Sequence, residues 1–320
     1  MSKKIIAVVG ATGAQGGGLA RAILAEADGE FAVRALTRNP DSEKARALAA
    51  AGAEVVAADV DDAASVERAF AGAYGAFCVT NFMEHFSPER ERAQAAAMAA
   101  AAKATGLSHV IWSTLEDTRK IVALEDERIP TLMGKYKVPH FDVKGESDEV
   151  FRATGVPVTC LLTSFYWENF LNFGMGPRRG ADGVLSLAMP LGERPLPGMA
   201  VEDIGRSALG ILKAGSEYQG QTVGVSSEQL TGAELAAEFA GVLGERVRYD
   251  AIPFEVYRGL GFPGAEDLGN MFQFTHDYSE AFCWARDPKA ARKLNAGMER
   301  FDDWVERNAE AIRAASQSSL

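Results

Sequence analysis

Two stretches of the chain hold residues whose types and spacing could do chemistry. The first is VVGATGAQGGG, residues 8–18, in which Gly10, Gly13 and Gly16 stand at three-residue intervals between an apolar run and a helical pattern. Glycine serves at such a turn because a Cβ would forbid the backbone angle, and again where the chain must approach a pyrophosphate closely. The helix that follows would present unpaired N–H groups and a favourable dipole to the phosphates. The second stretch is HFDVK, residues 140–144, just ahead of a helical pattern, with His140 and Lys144 four positions apart. One helical turn brings positions i and i+4 onto one face. An imidazole, titrating near neutrality, can act there as a general acid. A second reading of His140 stays open: a helix-start or loop residue without catalytic function, displaced by a short loop bounded by Pro139.

Further candidates stand at the ends of apolar runs. The second run closes as LTRNP, so Thr37 and Arg38 occupy the place where NAD binders put Asp or Glu for the ribose 2′-hydroxyl. A carboxylate would repel a 2′-phosphate, whereas a guanidinium can hold it by paired, charge-assisted hydrogen bonds. NADP(H) is therefore the expected dinucleotide, with Lys44 and Arg46 adding positive charge downstream. A solvated surface arginine is the competing reading. Asp59, in AADVDD, could accept from an adenine amino group or cap the next helix, and Asp61 or Asp62 is better placed for capping. Thr80 and Asn81 end the fourth run and Phe82 follows. Ligands bind beyond the carboxyl ends of such strands, so these residues should line the cleft, although Asn81 also suits a plain turn.

The elements that would position these residues follow from the rhythm of the chain. Apolar runs at 5–9, 31–37, 53–59, 74–80, 109–114 and 156–162 alternate with amphipathic or Ala-rich stretches. Continuous apolar strands separated by helices indicate a parallel sheet buried on both faces, and right-handed crossovers make it doubly wound. The expected fold is α/β, a doubly wound parallel sheet of the Rossmann kind with a smaller C-terminal α+β lobe. The dinucleotide-binding domain should span 1–162, with a helix and strand returning to it at about 202–227. Residues 163–320 should form mainly the lobe. FPGAEDLGNMFQF, 262–274, reads as a lobe element, and the insertion at 120–139 as a mobile part.

Composition narrows the function classes. A net charge of −11 argues against direct nucleic-acid binding, which needs clustered Lys and Arg. No run approaches the length of a membrane helix, and the opening residues lack a signal-peptide pattern. Cys78, Cys160 and Cys283 have no metal-like spacing, and with only four histidines no metal site is expected. Buried thiols suit a reducing compartment, so a cytoplasmic location is expected.

Taken together, the glycine loop, TRNP, VTNF, HFDVKGE and FYWENF resemble the NmrA-like family, atypical members of the short-chain dehydrogenase/reductase superfamily. The likeness includes GMAVEDIG and the late GFPGAEDLGNMFQF, and is nearest to the NADPH-sensing branch. It implies an NADP-binding Rossmann domain with cofactor contacts from Gly10, Ala11, Thr12, Gly13, Ala14 and Gln15. It implies further contacts from Arg38 and Asn39, from Asp59 and Val60, and from Thr80, Asn81 and Phe82. Lys144 and Thr163, Ser164, Phe165 and Tyr166 complete the implied set. Asp41 and Glu43 stand where that branch carries a more basic run, which weakens the expected hold on a 2′-phosphate. In the superfamily's dehydrogenases a tyrosine passes a proton to the substrate, and a lysine four residues on lowers its pKa. This chain keeps Lys144 but has His140 in the tyrosine's place, with Ser113 or Thr114 as a candidate partner.

Two functions fit this pattern. One is an NADP(H) sensor or regulator that acts by cofactor-dependent conformational change on a protein partner or a homodimer. The other is an NADPH-dependent reductase of a quinone, carbonyl or imine.

Overall fold

A computed structural model of the chain describes residues 2–180 and 182–317. The alternation seen in the sequence becomes β1 (Lys4–Val8), α1 (Ala14–Leu24), β2 (Phe31–Thr37), α2 (Glu43–Ala50), β3 (Glu54–Ala57), α3 (Ala63–Phe70) and β4 (Gly75–Cys78). It continues through α4 (Pro88–Ala104), β5 (His109–Thr114), α5 (Pro139–Arg152) and β6 (Val158–Leu162). Small polar residues start these helices by satisfying first-turn amides. Ser42 caps α2, Asp62 caps α3, and Ser87, followed by Pro88, caps α4. Capping therefore falls to Asp62 and leaves Asp59 to other contacts.

After β6 come β7 (Phe165–Tyr166), α6 (Asn169–Asn172), β8 (Arg178–Arg179), β9 (Leu185–Met189), β10 (Leu196–Met199) and α7 (Val201–Lys213). The chain then forms β11 (Thr222–Gly224), β12 (Glu228–Leu230), α8 (Gly232–Leu243), β13 (Val247–Ala251), α9 (Phe254–Arg258) and α10 (Ala265–Asp277), followed by further helical segments.

Seven strands form the main sheet in the order β11-β6-β5-β4-β1-β2-β3. Its pairings from β6 to β3 are parallel, as in Ile6↔Val33, Val8↔Phe77 and Trp112↔Cys160. This is the doubly wound sheet expected from the alternation, and the order reverses direction at β1, where the glycine loop begins. One core against the sheet contains Val66, Phe70, Met98, Trp112 and Phe151, together with Cys78 and Cys160, whose thiols are buried.

Two compact units divide the chain. The first comprises 1–121, 139–163 and 201–223, and the second comprises 122–138, 164–200 and 224–320. Residues 122–138, inside the span read from sequence as the dinucleotide domain, thus group with the second unit. That unit contains two three-stranded sheets, β12-β10-β7 and β13-β9-β8. Its core is strongly aromatic: Phe301 stacks on Trp304, and Phe170 meets Phe239 edge-on at 5.1 Å. Phe272 and Phe274 of α10 are core residues here, against Tyr257 and Tyr278.

Helix α7 returns to pack on α1 in the first unit. The contact is close because both helices offer glycine: a Cβ on Gly205 would lie 2.1 Å from the carbonyl carbon of Gly18 and from the amide of Leu19. Among the described residues no helix is long and apolar enough to cross a membrane.

Candidate functional site

The glycine loop joins β1 to α1. Gly10 has φ +64°, a left-handed conformation that a side chain strains, and its carbonyl accepts from Gly13 N–H at 2.8 Å. A Cβ at Gly16 would meet the Val9 and Gly10 carbonyl oxygens at 2.5 and 2.6 Å, so α1 can start this tightly only from glycine. Its N-cap is Gly13, and no side chain caps it. First-turn amides that no capping oxygen covers suit an anion, and the space a side chain would fill is open to a diphosphate. The loop therefore fits the dinucleotide that its sequence suggests. Ala11 and Gln15 are buried, while Gly13 and Ala14 lie at the surface. Ala11 and Thr12 also line a cleft of about 470 Å3 with Lys44 and Leu48 of α2.

Arg38 follows β2 and is exposed, as is Asn39. The guanidinium does not point into bulk water: it makes a two-pronged ion pair with Glu84, Nη1 to Oε1 and Nη2 to Oε2, the latter at 3.2 Å. This pair raises the Arg38 pKa and holds the Glu84 carboxyl below its ordinary value. Asp59 and Val60 follow β3 half-buried, and Asp59 Oδ1 accepts from the Asp61 amide at 3.0 Å. Asp61 in turn receives Arg90 and Gln94.

After β4 the chain passes Thr80 and Asn81 into a 3-10 turn, Phe82–Glu84. Thr80 and Phe82 are buried and Asn81 is exposed. The turn closes through Phe86 N–H to the Phe82 carbonyl at 2.8 Å, and Phe86 takes φ +50°, a strained value for a side chain of that size.

His140 and Lys144 both lie within α5, which begins at Pro139, rather than ahead of a helix. Proline suits the first helical position, so it starts the helix instead of bounding a loop. The two side chains therefore sit one turn apart, as the spacing requires. The ring of His140 lies 6.4 Å from Phe82 and 4.8 Å from Phe141. Lys144 Nζ donates to Thr80 O at 3.0 Å and to Thr80 Oγ1 at 2.6 Å, and lies 2.9 Å from Glu91 Oε1. Two of the three ammonium protons thus go to Thr80, and the Glu91 carboxylate pairs with the charge. Thr80 Oγ1 donates to Glu91 Oε1 at 2.5 Å, and Glu91 is wholly buried. His85 Nδ1 accepts from Ser87 N–H, so the proton of the neutral ring sits on Nε2, 3.3 Å from Glu91 Oε2.

Glu91, His85 and Glu84 do not appear among the residues picked out from sequence. Glu91 had left a trace: it stands in the register of Ala95, Met98 and Ala102, the buried stripe of α4, where a carboxylate demands a partner. Thr114, expected beside His140, instead bonds Asp148 Oδ1 at 2.6 Å, which also accepts from Trp112 Nε1 at 3.0 Å. Burial pushes the Asp148 carboxyl up to about 6. Ser113 is buried in β5.

Thr163 is buried at the end of β6 in the first unit. Ser164, Phe165 and Tyr166 belong to the second, where β7 pairs with β10 and the Phe165 ring packs on Phe170 and Phe272. Ser164 Oγ is buried with no hydrogen-bond partner among the described residues. The segment expected to be mobile is pinned within that unit. Lys137 Nζ donates to the carbonyls of Leu124, Asp126 and Ile129, and Asn270 Nδ2 donates to Pro130 O and Lys137 O.

Comparison with known proteins adds the following. The model of the NmrA-like family matches residues 2–305. The NmrA-like family domain-containing oxidoreductase cpsB of Aspergillus campestris is 31% identical over 292 residues, covering 85% of this chain and 83% of that protein. Among solved structures, NmrA, a negative transcriptional regulator, in complex with NADP has a TM-score of 0.79 at 23% identity, over 99% of both chains. The same regulator has also been solved with NAD. The Citrobacter sp. triphenylmethane reductase complexed with NADP(H) has a TM-score of 0.74 at 21% identity, covering 95% of this chain and 99% of that one. At these identities the solved structures establish the fold.

Proposed function

The chain belongs to the NmrA-like family, and on that premise we propose that it is an NADP(H)-binding regulator that signals through a cofactor-dependent change of conformation. The dinucleotide sits on the glycine loop, its diphosphate against the start of α1 and its 2′-phosphate at Arg38. A nicotinamide, when bound, supplies or takes a hydride. The observation that carries the regulatory reading is the commitment of Lys144. Its ammonium donates twice to Thr80, and the Glu91 carboxylate 2.9 Å away offsets the charge that would acidify a proton donor one turn away. No tyrosine stands at that position, since His140 does. Binding can shift a conformational equilibrium only if the two states differ in affinity for the cofactor. Glu84 of the turn after β4 and Glu91 of α4 supply such a difference, because they are already engaged with Arg38 and Lys144, the residues the cofactor needs. A protein partner or a second copy of the chain reads the change.

A second reading is favoured by the oxidoreductase names of the curated relatives: an NADPH-dependent reductase of a quinone, carbonyl or imine, with His140 as proton donor. One experiment separates the two. NADPH oxidation is followed at 340 nm against a panel of quinones, aldehydes and imines, with limited proteolysis and size exclusion run in parallel with and without NADPH. The regulator gives binding without turnover and a cofactor-dependent cleavage pattern or oligomeric state. Turnover abolished by His140→Phe would establish the reductase instead.

A further inference from the structure

The ion pair between Arg38 and Glu84 has no part in holding a dinucleotide, yet it engages the one cation expected to choose between the two nicotinamide cofactors. Both side chains are accessible, Arg38 at 58% and Glu84 at 40% relative exposure. The carboxylate meets the guanidinium through both oxygens, which is the geometry a phosphate would use. Arg90, the neighbouring cation, cannot relieve it, because Arg90 is held by Asp61 in the same two-pronged way. Resting on the reading that a nicotinamide dinucleotide binds the glycine loop, we propose that Glu84 is a specificity-determining residue. Its carboxylate occupies the 2′-phosphate position on Arg38, so NADP(H) must displace it and NAD(H) need not.

The displacement has a built-in consequence. Glu84 ends a short turn, and the next residue, His85, places Nε2 3.3 Å from Glu91, the carboxylate paired with Lys144. Phe86, two residues on, holds a strained left-handed backbone. Such strain persists only where the surroundings hold it in place, and Arg38 holds Glu84, two residues before it. Binding of the 2′-phosphate releases that hold and frees the turn to relax. NAD(H) lacks the phosphate and leaves the turn as it is. The same residue thus sets cofactor preference and makes the response of the turn specific to the phosphorylated cofactor.

The test is calorimetric titration of wild type and Glu84→Gln with NADPH and with NADH, with proteolysis of residues 82–87 as a second readout. Glutamine keeps the shape of the side chain at an exposed position, and thermal unfolding checks that the fold is intact. An exposed ion pair of this kind is worth up to about 1 kcal/mol, so Glu84→Gln should tighten NADPH roughly fivefold. NADH should stay within about twofold of wild type. In wild type NADPH, and not NADH, should expose the turn to cleavage, and in Glu84→Gln the turn should be cleaved without cofactor. NADPH affinity unchanged by the substitution, or NADPH and NADH shifting together, overturns the proposal while leaving dinucleotide binding intact. Wild type that binds neither nucleotide overturns the underlying reading instead.

Discussion

At the scale of single residues, the site is governed by carboxylates that neutralise its cations. Glu91 is wholly buried against Lys144, and removing one member of a buried pair leaves the other charge uncompensated. Glu91→Leu or Lys144→Met alone should therefore destabilise the protein by about 3–5 kcal/mol, with the double substitution recovering most of the loss. Urea unfolding of the three variants checks this. Equal costs that simply add would mean the pair is not coupled. Asp148 and His109 carry a second prediction. Burial raises Asp148 from 3.8 to about 6, so its contribution to stability is present below pH 4 and lost as pH rises to 6. Burial lowers His109 from 6.5 to about 4, so its contribution is present above pH 6.5 and lost as pH falls to 4. The two slopes oppose each other across one window. Asp148→Asn should unmask the histidine, giving a melting temperature that climbs from pH 4 to 6.5 and a variant more stable than wild type above pH 6. A melting temperature of Asp148→Asn that falls across this range would contradict the assignment.

At the scale of elements, sequence and structure part at identifiable places. The six apolar runs became the parallel strands: β4, β5 and β6 are buried throughout and leave a clear trace, while β3 at the sheet edge is only half-buried and is marked by its alternation with helices. The boundary of α5 was misplaced because Pro139 reads as a breaker, although at the first helical position it starts a helix. The glycine loop was legible because its spacing and its context agree. Glu84 was not, because nothing local marks an exposed carboxylate as the partner of an arginine 46 residues away. Lys137 was also opaque. A lysine in a polar insertion looks solvated, yet this one is fully buried and bonded to three carbonyls. The close crossing of α1 and α7 gives a prediction at this scale. Gly205→Ala would drive a Cβ into the backbone of α1 at 2.1 Å, an overpacking that costs about 1–3 kcal/mol or more. Since α1 also carries the glycine turn proposed to hold the diphosphate, NADPH affinity should fall along with the melting temperature. A variant with wild-type values of both would show that the crossing is looser than its glycines imply.

At the scale of the whole molecule, the residues proposed for the two ends of the dinucleotide approach one short turn after β4. Arg38 reaches that turn through Glu84, and Lys144 reaches its approach through Thr80. Family membership sets the fold and the expectation of a cofactor, and His140 stands where the tyrosine–lysine dehydrogenases carry tyrosine. The most direct test of the central claim, that the glycine loop and the ends of β2 and β4 hold NADP(H), is amide hydrogen exchange with and without saturating NADPH. The account predicts slowed exchange at residues 10–16 and around Arg38 and Asn39, with altered exchange at 80–87. NADPH bound at saturation with exchange unchanged in all three segments would contradict it.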